Sequence, residues 1–343
     1  MPSPQPFSHV AVLGAGAWGT ALAAVASLAG RRVTLWGRNA AAMAAIARIH
    51  ENARHLPGVA LPDFAATADL AEAARAEAIL LAVPAQTMRA FVGQLPRSGT
   101  PLVLCAKGIE KTTGKLLGEV LAEAAPDAPR AILSGPSFAR EVAMGLPTAV
   151  TIAAEGDLAA RLQATLSAPA FRPYASDDMV GVALGGAAKN VYAIACGVVE
   201  GLGLGENARA ALLARSFAEL ARLGEQLGAR RETLMGLSGL GDLVLSAAST
   251  SSRNFTFGLE LGRGTALEKL RAPGRPLAEG VDTAPALVAV STRSPRPDRP
   301  ISVSALAPSA VPSRASSAKL RAKSAARAFS PSTRPSTTPQ AMA

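Results

Sequence analysis

Lys189 is the residue whose surroundings most clearly indicate chemistry. It lies in a segment, residues 180–199, made mostly of Val, Ala, Gly, Leu and Ile. An ammonium on such a buried helix would be desolvated, which lowers the pKa of a lysine and lets it act as a base near neutral pH. Oxidation of a secondary alcohol needs such a base, because the hydroxyl proton leaves as the hydride departs. A lysine that extends from a helix end to solvent is the alternative interpretation.

A glycine-rich segment, GAGAWG at 14–19, follows an apolar run and opens a helix-like segment. In a dinucleotide-binding turn the first glycine permits the tight turn, the second lets the backbone approach a pyrophosphate, and the third allows close helix–strand packing. The helix N-terminus then faces the phosphates. A glycine-rich turn without a ligand is the alternative, but the position at the first strand–helix junction favours dinucleotide binding.

The residues that end the second predicted strand bear on the choice of cofactor. An acid there would bind the ribose hydroxyls of NAD, whereas this chain has WGRN at 36–39. An arginine suits the 2′-phosphate of NADP, although a solvated surface arginine would look the same. We therefore expect NADP or NAD as cofactor, with Arg38 favouring NADP.

Two polar segments stand out in the apolar second half, GLGD at 239–242 and SSRN at 251–254. Arg253 can form a forked pair with a phosphate, and Ser252 and Asn254 can add hydrogen bonds to a phosphate or to hydroxyls. A helix N-cap formed by Ser or Asn is the alternative for the second segment.

The elements that must position these residues alternate in the first half of the chain. Apolar runs predict strands at 10–13, 32–36, 78–83, 102–105, 131–133 and 149–153, and the Ala-rich segment 19–28 predicts a crossover helix. This order is typical of an α/β, Rossmann-type doubly wound parallel sheet. Beyond about 178 the strand signal stops, and apolar residues at helical spacing, as at 208–227, predict an all-helical domain. The predicted domains are 1–178 for the dinucleotide and 179–290 for the substrate.

Residues 291–343 differ in composition from the rest. They contain 12 Ser, 8 Pro and nine basic residues against a single acid, Asp298, with no periodic apolar face. Such a segment buries too little surface to offset its ordering entropy, so we predict a disordered tail. Most of the net charge of +10 lies there, which leaves the body close to neutral. We therefore expect no nucleic-acid partner.

The remaining composition argues against other classes of protein. Lys189 and Asn190 interrupt the longest apolar stretch at its centre, where hydrocarbon penalises a charge, so we expect a buried helix and no membrane span. The two cysteines, Cys105 and Cys196, form no disulfide or metal-binding pattern,. The first nine residues lack the charged and apolar regions of a secretory signal. We expect a cytoplasmic protein that acts on a small molecule, without a metal site.

Taken together, these segments resemble the bacterial NAD(P)-dependent sn-glycerol-3-phosphate dehydrogenase family over residues 9 to about 288. The segments that match agree in order and spacing. They are GAGAWG at 14–19, Leu56-Pro57, Val83-Pro84, AKGI at 106–109, LSGPSFA at 133–139, Lys189-Asn190, GLGD at 239–242, SSRN at 251–254, Phe257-Gly258 and AEG at 278–280.

The resemblance implies a role for each aligned residue. It makes Lys189 the proton acceptor and the helical domain one of the 6-phosphogluconate dehydrogenase type, with the active site between the two domains. The implied substrate-binding residues are Lys107, Gly135, Ser137, Lys189, Asp242, Ser252, Arg253 and Asn254. The implied cofactor-binding residues are Gly14, Gly16, Ala17, Trp18, Gly19, Arg38, His55, Lys107, Ala139, Arg253, Leu277 and Glu279.

The reaction that the resemblance implies is reversible hydride transfer between NAD(P)H and dihydroxyacetone phosphate, which gives sn-glycerol 3-phosphate for phospholipid synthesis. The family also suggests a homodimer. Two alternatives stay open. One is a related 3-hydroxyacid or 6-phosphogluconate-type dehydrogenase, which would share the dinucleotide domain and a lysine base. The other is a catalytically inactive dinucleotide-binding protein.

One departure from the family pattern follows Asp282-Thr283-Ala284. The family continues there with apolar helices, whereas this chain turns to Ser/Pro/Arg-rich sequence from about Val290. A second reading frame of a GC-rich gene gives such a composition, so we hypothesise that 291–343 are the product of a frameshift. Resequencing the gene and translating every frame beyond codon 288 tests this, and a single intact frame whose tail has homologues elsewhere would contradict it.

Overall fold

The structure is a computed structural model that describes residues 4–96, 98–275 and 278–293. Its described strands are β1 His9–Leu13, β2 Arg32–Trp36, β3 Ala65–Thr67, β4 Ala78–Leu81, β5 Leu102–Leu104, β6 Arg130–Ser134, β7 Thr148–Ala154 and β8 Phe171–Ser176. They form one sheet in the order β3-β2-β1-β4-β5-β6-β7-β8. Every described pair is parallel except β6 with β7, which is antiparallel.

The sequence pattern did not predict two of these strands, β3 and β8. β3 has three residues and no buried position, and β8 carries Pro173 together with the exposed Arg172 and Tyr174. Both are edge strands with one neighbour, where a proline without an N–H is tolerated and one side faces solvent. The apolar run that marks a central parallel strand is therefore missing from both.

Helices cover both faces of the sheet. Alternate residues of β1 point to opposite faces, so that Val10 and Val12 join one apolar core and Ala11 and Leu13 join the other. The helices that connect the strands are α1 Ala17–Leu28, α2 Ala40–Ile49, α3 Leu70–Ala73, α4 Met88–Val92, α5 Leu117–Ala124, α6 Ala139–Ala143 and α7 Leu158–Leu166. Helices α1, α2, α6 and α7 contribute to the first core, and α3, α4 and α5 contribute to the second. The sheet is thus doubly wound, as predicted.

The rest of the described chain is helical and gathers around one long helix. These helices are α8 Met179–Gly201, α9 Glu206–Gln226, α10 Arg231–Met235, α11 Asp242–Ala248, α12 Arg253–Gly262, α13 Leu267–Leu270 and α14 Gly280–Arg293. A π-helical turn, Leu237–Gly241, leads into α11. Helix α8 is long and apolar enough to cross a membrane, but 89% of its most apolar window is buried within the protein. The prediction of a buried core helix is therefore confirmed.

Glycines let helices α8 and α12 approach backbone to backbone. A Cβ built on Gly197 would lie 2.1 Å from the carbonyl oxygen of Phe255, and one on Gly258 would lie 2.0 Å from that of Ile194. No side chain fits at such distances, so glycine is required at these crossings. The close approach brings the first residues of α12 beside the middle of α8, where Lys189 lies.

The predicted tail falls almost wholly outside the described residues, which end at Arg293. Helix α14 runs to that residue and therefore past the boundary of 290 predicted from composition.

Candidate active site

Four segments leave the same edge of the sheet, and three of them carry predicted site residues. Gly14 follows β1, Val83 follows β4, Lys107 follows β5 and Gly135 follows β6. Strand β1 lies between β2 and β4, so the chain winds away from it in both directions. Ligands of open α/β sheets bind at such a switch point, outside the carboxyl ends of the strands.

The three glycines of the first turn differ in what a side chain would meet at each position. Gly14 has φ of +118°, and a Cβ there would lie 2.7 Å from the carbonyl oxygen of Ala82. A Cβ on Gly19 would lie 1.9 Å from the carbonyl oxygen of Gly14, which is the close helix–strand packing. A Cβ on Gly16 would meet no atom within 4 Å, and no side chain caps the N-terminus of α1 that begins there. Open space beside an uncapped helix N-terminus fits a pyrophosphate.

Three neighbouring segments surround this turn. The indole Nε1 of Trp18 donates a hydrogen bond to the carbonyl oxygen of Cys105 at 3.1 Å, which ties α1 to the end of β5. Ala139 is the first residue of α6, a helix that packs against α1. His55 lies in the loop between α2 and β3 and is exposed. Partial desolvation of its ring and then the charge of Arg54 lower its pKa.

Asn52 joins that loop to the glycine-rich turn. Its side chain is buried, and its amide nitrogen donates to the carbonyl oxygen of Ala15 at 3.1 Å and to the hydroxyl of Thr20 at 2.8 Å. Its side-chain oxygen accepts the backbone N–H of His55 at 3.3 Å. Sequence reasoning missed Asn52, and its place three residues before His55 in a polar loop is the only signal that pointed to it.

Arg38 is exposed two residues after the end of β2, and its side chain forms no hydrogen bond or ion pair with a described residue. Its neighbour Asn39 is the N-cap of α2, because its side chain accepts the backbone N–H of Ala42 at 2.8 Å. The guanidinium is therefore open to a ligand at the strand end where a dinucleotide places its adenosine ribose.

A buried carboxylate between two lysines is the centre of the site. The Lys189 ammonium lies 3.0 Å from Oδ1 of Asp242, and the Lys107 ammonium pairs with Oδ2 of the same carboxylate. Lys107 also donates to the carbonyl oxygen of Gly135 at 2.9 Å. The Asp242 side chain is 1% exposed, against 14% for Lys189 and 13% for Lys107. The predicted base is therefore buried and paired rather than isolated.

Charge explains how this carboxylate stays ionised in the interior. Burial alone would raise the pKa of Asp242, but the two ammonium groups outweigh it and hold that pKa below its usual range,. Burial also lowers the pKa of Lys107, although Asp242 opposes the shift. Ser246 completes the cluster, since it accepts a hydrogen bond from Lys189 at 3.0 Å and donates to Asp242 at 3.3 Å.

Local packing explains why Asp242 faces Lys189. A Cβ on Gly185 of α8 would lie 2.7 Å from the carbonyl oxygen of Ser238 and 3.0 Å from the Cα of Gly239. The π-helical turn therefore packs directly on α8 and delivers Asp242 as the first residue of α11. Ser246 lies one helical turn later, on the same face, and that spacing is the signal by which sequence reasoning could have found it.

A chain of hydrogen bonds joins three helices on the other side of Lys189. Asn254 donates from its amide nitrogen to the side-chain oxygen of Asn190 at 2.9 Å, and its own side-chain oxygen accepts the N–H of Gly280 at 2.9 Å. Ser252 is buried and caps α12 by accepting the N–H of Phe255. Ser252 is therefore the helix N-cap that the alternative interpretation of this segment predicted. Asn254 instead holds the helices together. Sequence reasoning did not assign Asn190 to the site.

Arg253 and Glu279 are brought to the same place. Arg253 is the exposed first residue of α12, and Glu279 directly precedes α14. Burial raises the pKa of Glu279, and the positive charges of Arg253, Lys189 and Lys107 oppose that rise. The hydrogen bond between Asn254 and Gly280 keeps the two chain segments, and with them Arg253 and Glu279, close together.

Predicted residues from both halves of the chain therefore meet in this cluster, namely Lys107 and Gly135 from the first half and Lys189 and Asp242 from the second. Ser137 also belongs to the group, since its hydroxyl donates to the carbonyl oxygen of Gly135 at 2.9 Å. Leu277 lies outside the described residues. Within the described ranges, no three His, Cys, Asp or Glu side chains lie together as a metal site would need.

Comparisons with known proteins agree with this arrangement. Family models for NAD-dependent glycerol-3-phosphate dehydrogenase match residues 9–160 for its N-terminus and 178–305 for its C-terminus. The chain is 57% identical over 295 residues to the glycerol-3-phosphate dehydrogenase (NAD(P)+) of Rhodospirillum rubrum, covering 84% of each chain. It is 58% identical over 287 residues to that of Bradyrhizobium diazoefficiens, covering 82% of this chain and 86% of the relative.

Solved structures show the same likeness. The crystal structure of glycerol-3-phosphate dehydrogenase from Coxiella burnetii has 35% identity and a TM-score of 0.83, and the match covers 92% of this chain and 98% of that one. A glycerol-3-phosphate dehydrogenase from Plasmodium falciparum, 20% identical, has the same fold with a TM-score of 0.81 and 97% of each chain covered. On both the family models and the relatives, the chain belongs to the NAD-dependent glycerol-3-phosphate dehydrogenase family.

Proposed function

We propose that the chain catalyses reversible hydride transfer between NAD(P)H and dihydroxyacetone phosphate, which interconverts the latter with sn-glycerol 3-phosphate. The observation that carries the proposal is the buried cluster in which the Lys189 ammonium lies 3.0 Å from the Asp242 carboxylate. That cluster stands at the strand edge that also carries the glycine-rich turn. The names of the relatives support the same reaction.

Lys189 is the general acid and base of the proposed reaction. In the reducing direction its ammonium gives a proton to the carbonyl oxygen, and in the oxidising direction its neutral amine takes that proton from the hydroxyl. The bound nicotinamide supplies or accepts the hydride. Asp242 and Ser246 hold the nitrogen of Lys189 in one place, since both contact it at 3.0 Å.

The substrate phosphate and hydroxyls are assigned to cations and small polar groups around this cluster. Arg253 has an exposed guanidinium fork at the N-terminus of α12, and both features suit a phosphate,. Lys107 adds a second positive charge beside Gly135. The remaining substrate-binding assignments are Ser137, Asp242, Ser252 and Asn254.

The cofactor is assigned to the first turn and the segments around it. The open space at Gly16 and the uncapped start of α1 would hold the pyrophosphate,, and Arg38 would meet a 2′-phosphate. Gly14, Ala17, Trp18, Gly19, His55, Lys107, Ala139, Arg253, Leu277 and Glu279 complete the proposed set.

We add four assignments, two for the parts of the chain and one each for oligomeric state and location. We propose residues 1–178 as the dinucleotide-binding part and 179–290 as the substrate-binding part. A homodimer and a cytoplasmic location are proposed from the family and from the buried character of α8.

A substrate panel tests the proposal. The purified chain is mixed with NADPH or NADH and with one of two substrates, dihydroxyacetone phosphate or the oxo acid of a 3-hydroxy acid. In a separate assay it is mixed with NADP and 6-phosphogluconate. Oxidation of the reduced cofactor with dihydroxyacetone phosphate is the expected result. Turnover of another substrate in its place would assign the chain to a related dehydrogenase, and cofactor binding without any turnover would make it an inactive dinucleotide-binding protein.

A further inference from the structure

Glu110 is a buried acid that the proposed reaction does not use. It lies in the loop after β5, residues 105–116, which also carries Lys107 and is called the β5 loop here. The Glu110 side chain is 8% exposed, and it accepts hydrogen bonds from Arg89 Nε at 2.9 Å, from Arg89 Nη2 at 2.8 Å and from Thr113 Oγ1 at 2.6 Å. The forked pair with Arg89 is the geometry in which a guanidinium and a carboxylate bind most specifically.

Arg89 connects this carboxylate to the body of the sheet domain. It lies on α4, whose apolar residues pack in the core on one face of the sheet. Its Nη1 pairs at 2.9 Å with a second acid, Glu123 of α5, which is 42% exposed. Arg89 lowers the pKa of Glu110, so the pair stays charged at neutral pH,. The β5 loop is thus fixed to two packed helices through one guanidinium.

Two further contacts hold the same loop. The side chain of Gln86 donates to the carbonyl oxygen of Ile109 at 2.8 Å and accepts the N–H of Lys111 at 2.9 Å. Ile109 itself is fully buried in the apolar core of the helical domain. The β5 loop therefore spans from the sheet domain into the helical domain, with Lys107 at its start.

We propose that Arg89 and Glu110 are positioning residues for Lys107: their forked pair fixes the β5 loop so that the Lys107 ammonium reaches both Asp242 and Gly135. The inference rests on the role given to Lys107 in the proposed function. Lysine has a flexible four-carbon stem, so only a fixed backbone at its base makes the position of its ammonium reproducible.

A double-mutant cycle between Glu110 and Lys107 separates positioning from general stability. Glu110→Gln keeps the shape of the side chain and removes its charge. A misplacement of about 1 Å costs on the order of 10²-fold in rate, so we expect Glu110→Gln to lower kcat/KM for dihydroxyacetone phosphate by roughly tenfold or more. In a Lys107→Met background the same change should cost less than about twofold, because interactions that act through a shared residue are not additive.

Glu225→Gln is the control, because it removes a surface ion pair, with Arg231, that involves no residue of the β5 loop. It should keep kcat/KM within about twofold of the parent. Arg89→Lys keeps the charge but loses the fork, and it should reproduce the effect of Glu110→Gln if that variant folds poorly. Thermal melting of each variant shows which of them fold.

Equal losses from Glu110→Gln in the parent and Lys107→Met backgrounds would overturn the inference, because additivity means that Glu110 does not act through Lys107. The inference would also be overturned if Glu110→Gln and Arg89→Lys both kept parent-like activity while Lys107→Met was inactive. That result would leave the proposed function intact. Parent-like activity of Lys107→Met would remove the proposed role of Lys107, and the inference with it.

Discussion

Replacing Asp242 with Asn should destabilise the protein strongly, because it leaves two buried ammonium groups without the carboxylate that pairs with both. The asparagine has the same shape, so the packing of α11 on α8 stays, and the change is electrostatic. Asp242 is 1% exposed and contacts both Lys107 and Lys189. Removing one partner of a buried ion pair costs about 3 to 5 kcal/mol.

That free energy converts into a large change in melting temperature. For a folded part of this size, each kcal/mol lowers the melting temperature by roughly 2 to 4 °C, so Asp242→Asn should melt about 6 to 20 °C below the parent. The sign of the pH dependence follows from the lowered pKa of Asp242. A carboxyl with a depressed folded-state pKa stabilises above its unfolded value of about 3.9 and loses that effect as the pH falls through the folded value. The difference between the two proteins should therefore hold at neutral pH and shrink only in acid.

The assay is thermal unfolding followed by circular dichroism at pH 7.5 and at several lower pH values. Glu225→Gln serves as the control, since it removes an ion pair with Arg231 in which both side chains are about half exposed. Such a surface pair contributes about 0 to 1 kcal/mol. If Asp242→Asn melts with the parent and the control, the carboxylate does not hold the two lysines and the reasoning about the cluster is wrong.

Three further predictions concern residues of the sheet domain. Arg38→Ala should weaken NADPH more than NADH in fluorescence titrations, because a charge-assisted contact of about 1.5 to 3 kcal/mol corresponds to roughly 10- to 150-fold in affinity; equal losses would refute the 2′-phosphate assignment. Gly16→Ala should fold like the parent and bind cofactor more weakly, whereas Gly19→Ala should melt earlier, since its Cβ would lie 1.9 Å from a carbonyl oxygen; the reverse pattern would contradict the roles given to the two glycines. His9 is buried, and its Nδ1 accepts a hydrogen bond from Arg32 at 2.7 Å. Burial and then the charge of Arg32 lower the pKa of His9, so the unfolded chain binds more protons than the folded chain near pH 6.5. Stability should therefore fall as the pH drops from about 7 to about 5. His9→Gln should flatten that fall in urea unfolding, and an unchanged slope would show that His9 does not cause it.

The central strands were predictable because each is a short apolar run in a regular alternation with helices. The six predicted strands appear in the structure within two residues of their predicted bounds. The missed strands β3 and β8 lie at the sheet edges, where exposure breaks the apolar run. The antiparallel pairing of β7 with β6 could not be predicted either, because strand direction depends on how the connection packs and leaves no mark on composition.

The site was predictable to the extent that its residues are chemically unusual where they stand. Lys189 in an apolar helix and the glycines of the first turn can be recognised from the sequence alone. Asn52 and Asn190 have no such signal, since each is a common polar residue whose contacts lie far away in sequence, and Ser246 is marked only by its spacing of four residues from Asp242. The pairing of Lys189 with Asp242 likewise depends on how α11 packs on α8, which no local pattern encodes.

The role of Lys189 is the central claim, and turnover of a Lys189→Met variant tests it most directly. The variant keeps the length of the side chain, removes the charge and leaves Asp242 paired with Lys107. Reduction of dihydroxyacetone phosphate should be slower by about 10²- to 10⁴-fold, the range for a lost general acid, while NADPH titrations of the variant and the parent agree. A folded Lys189→Met protein that turns over within a few-fold of the parent would show that the proton moves through another residue.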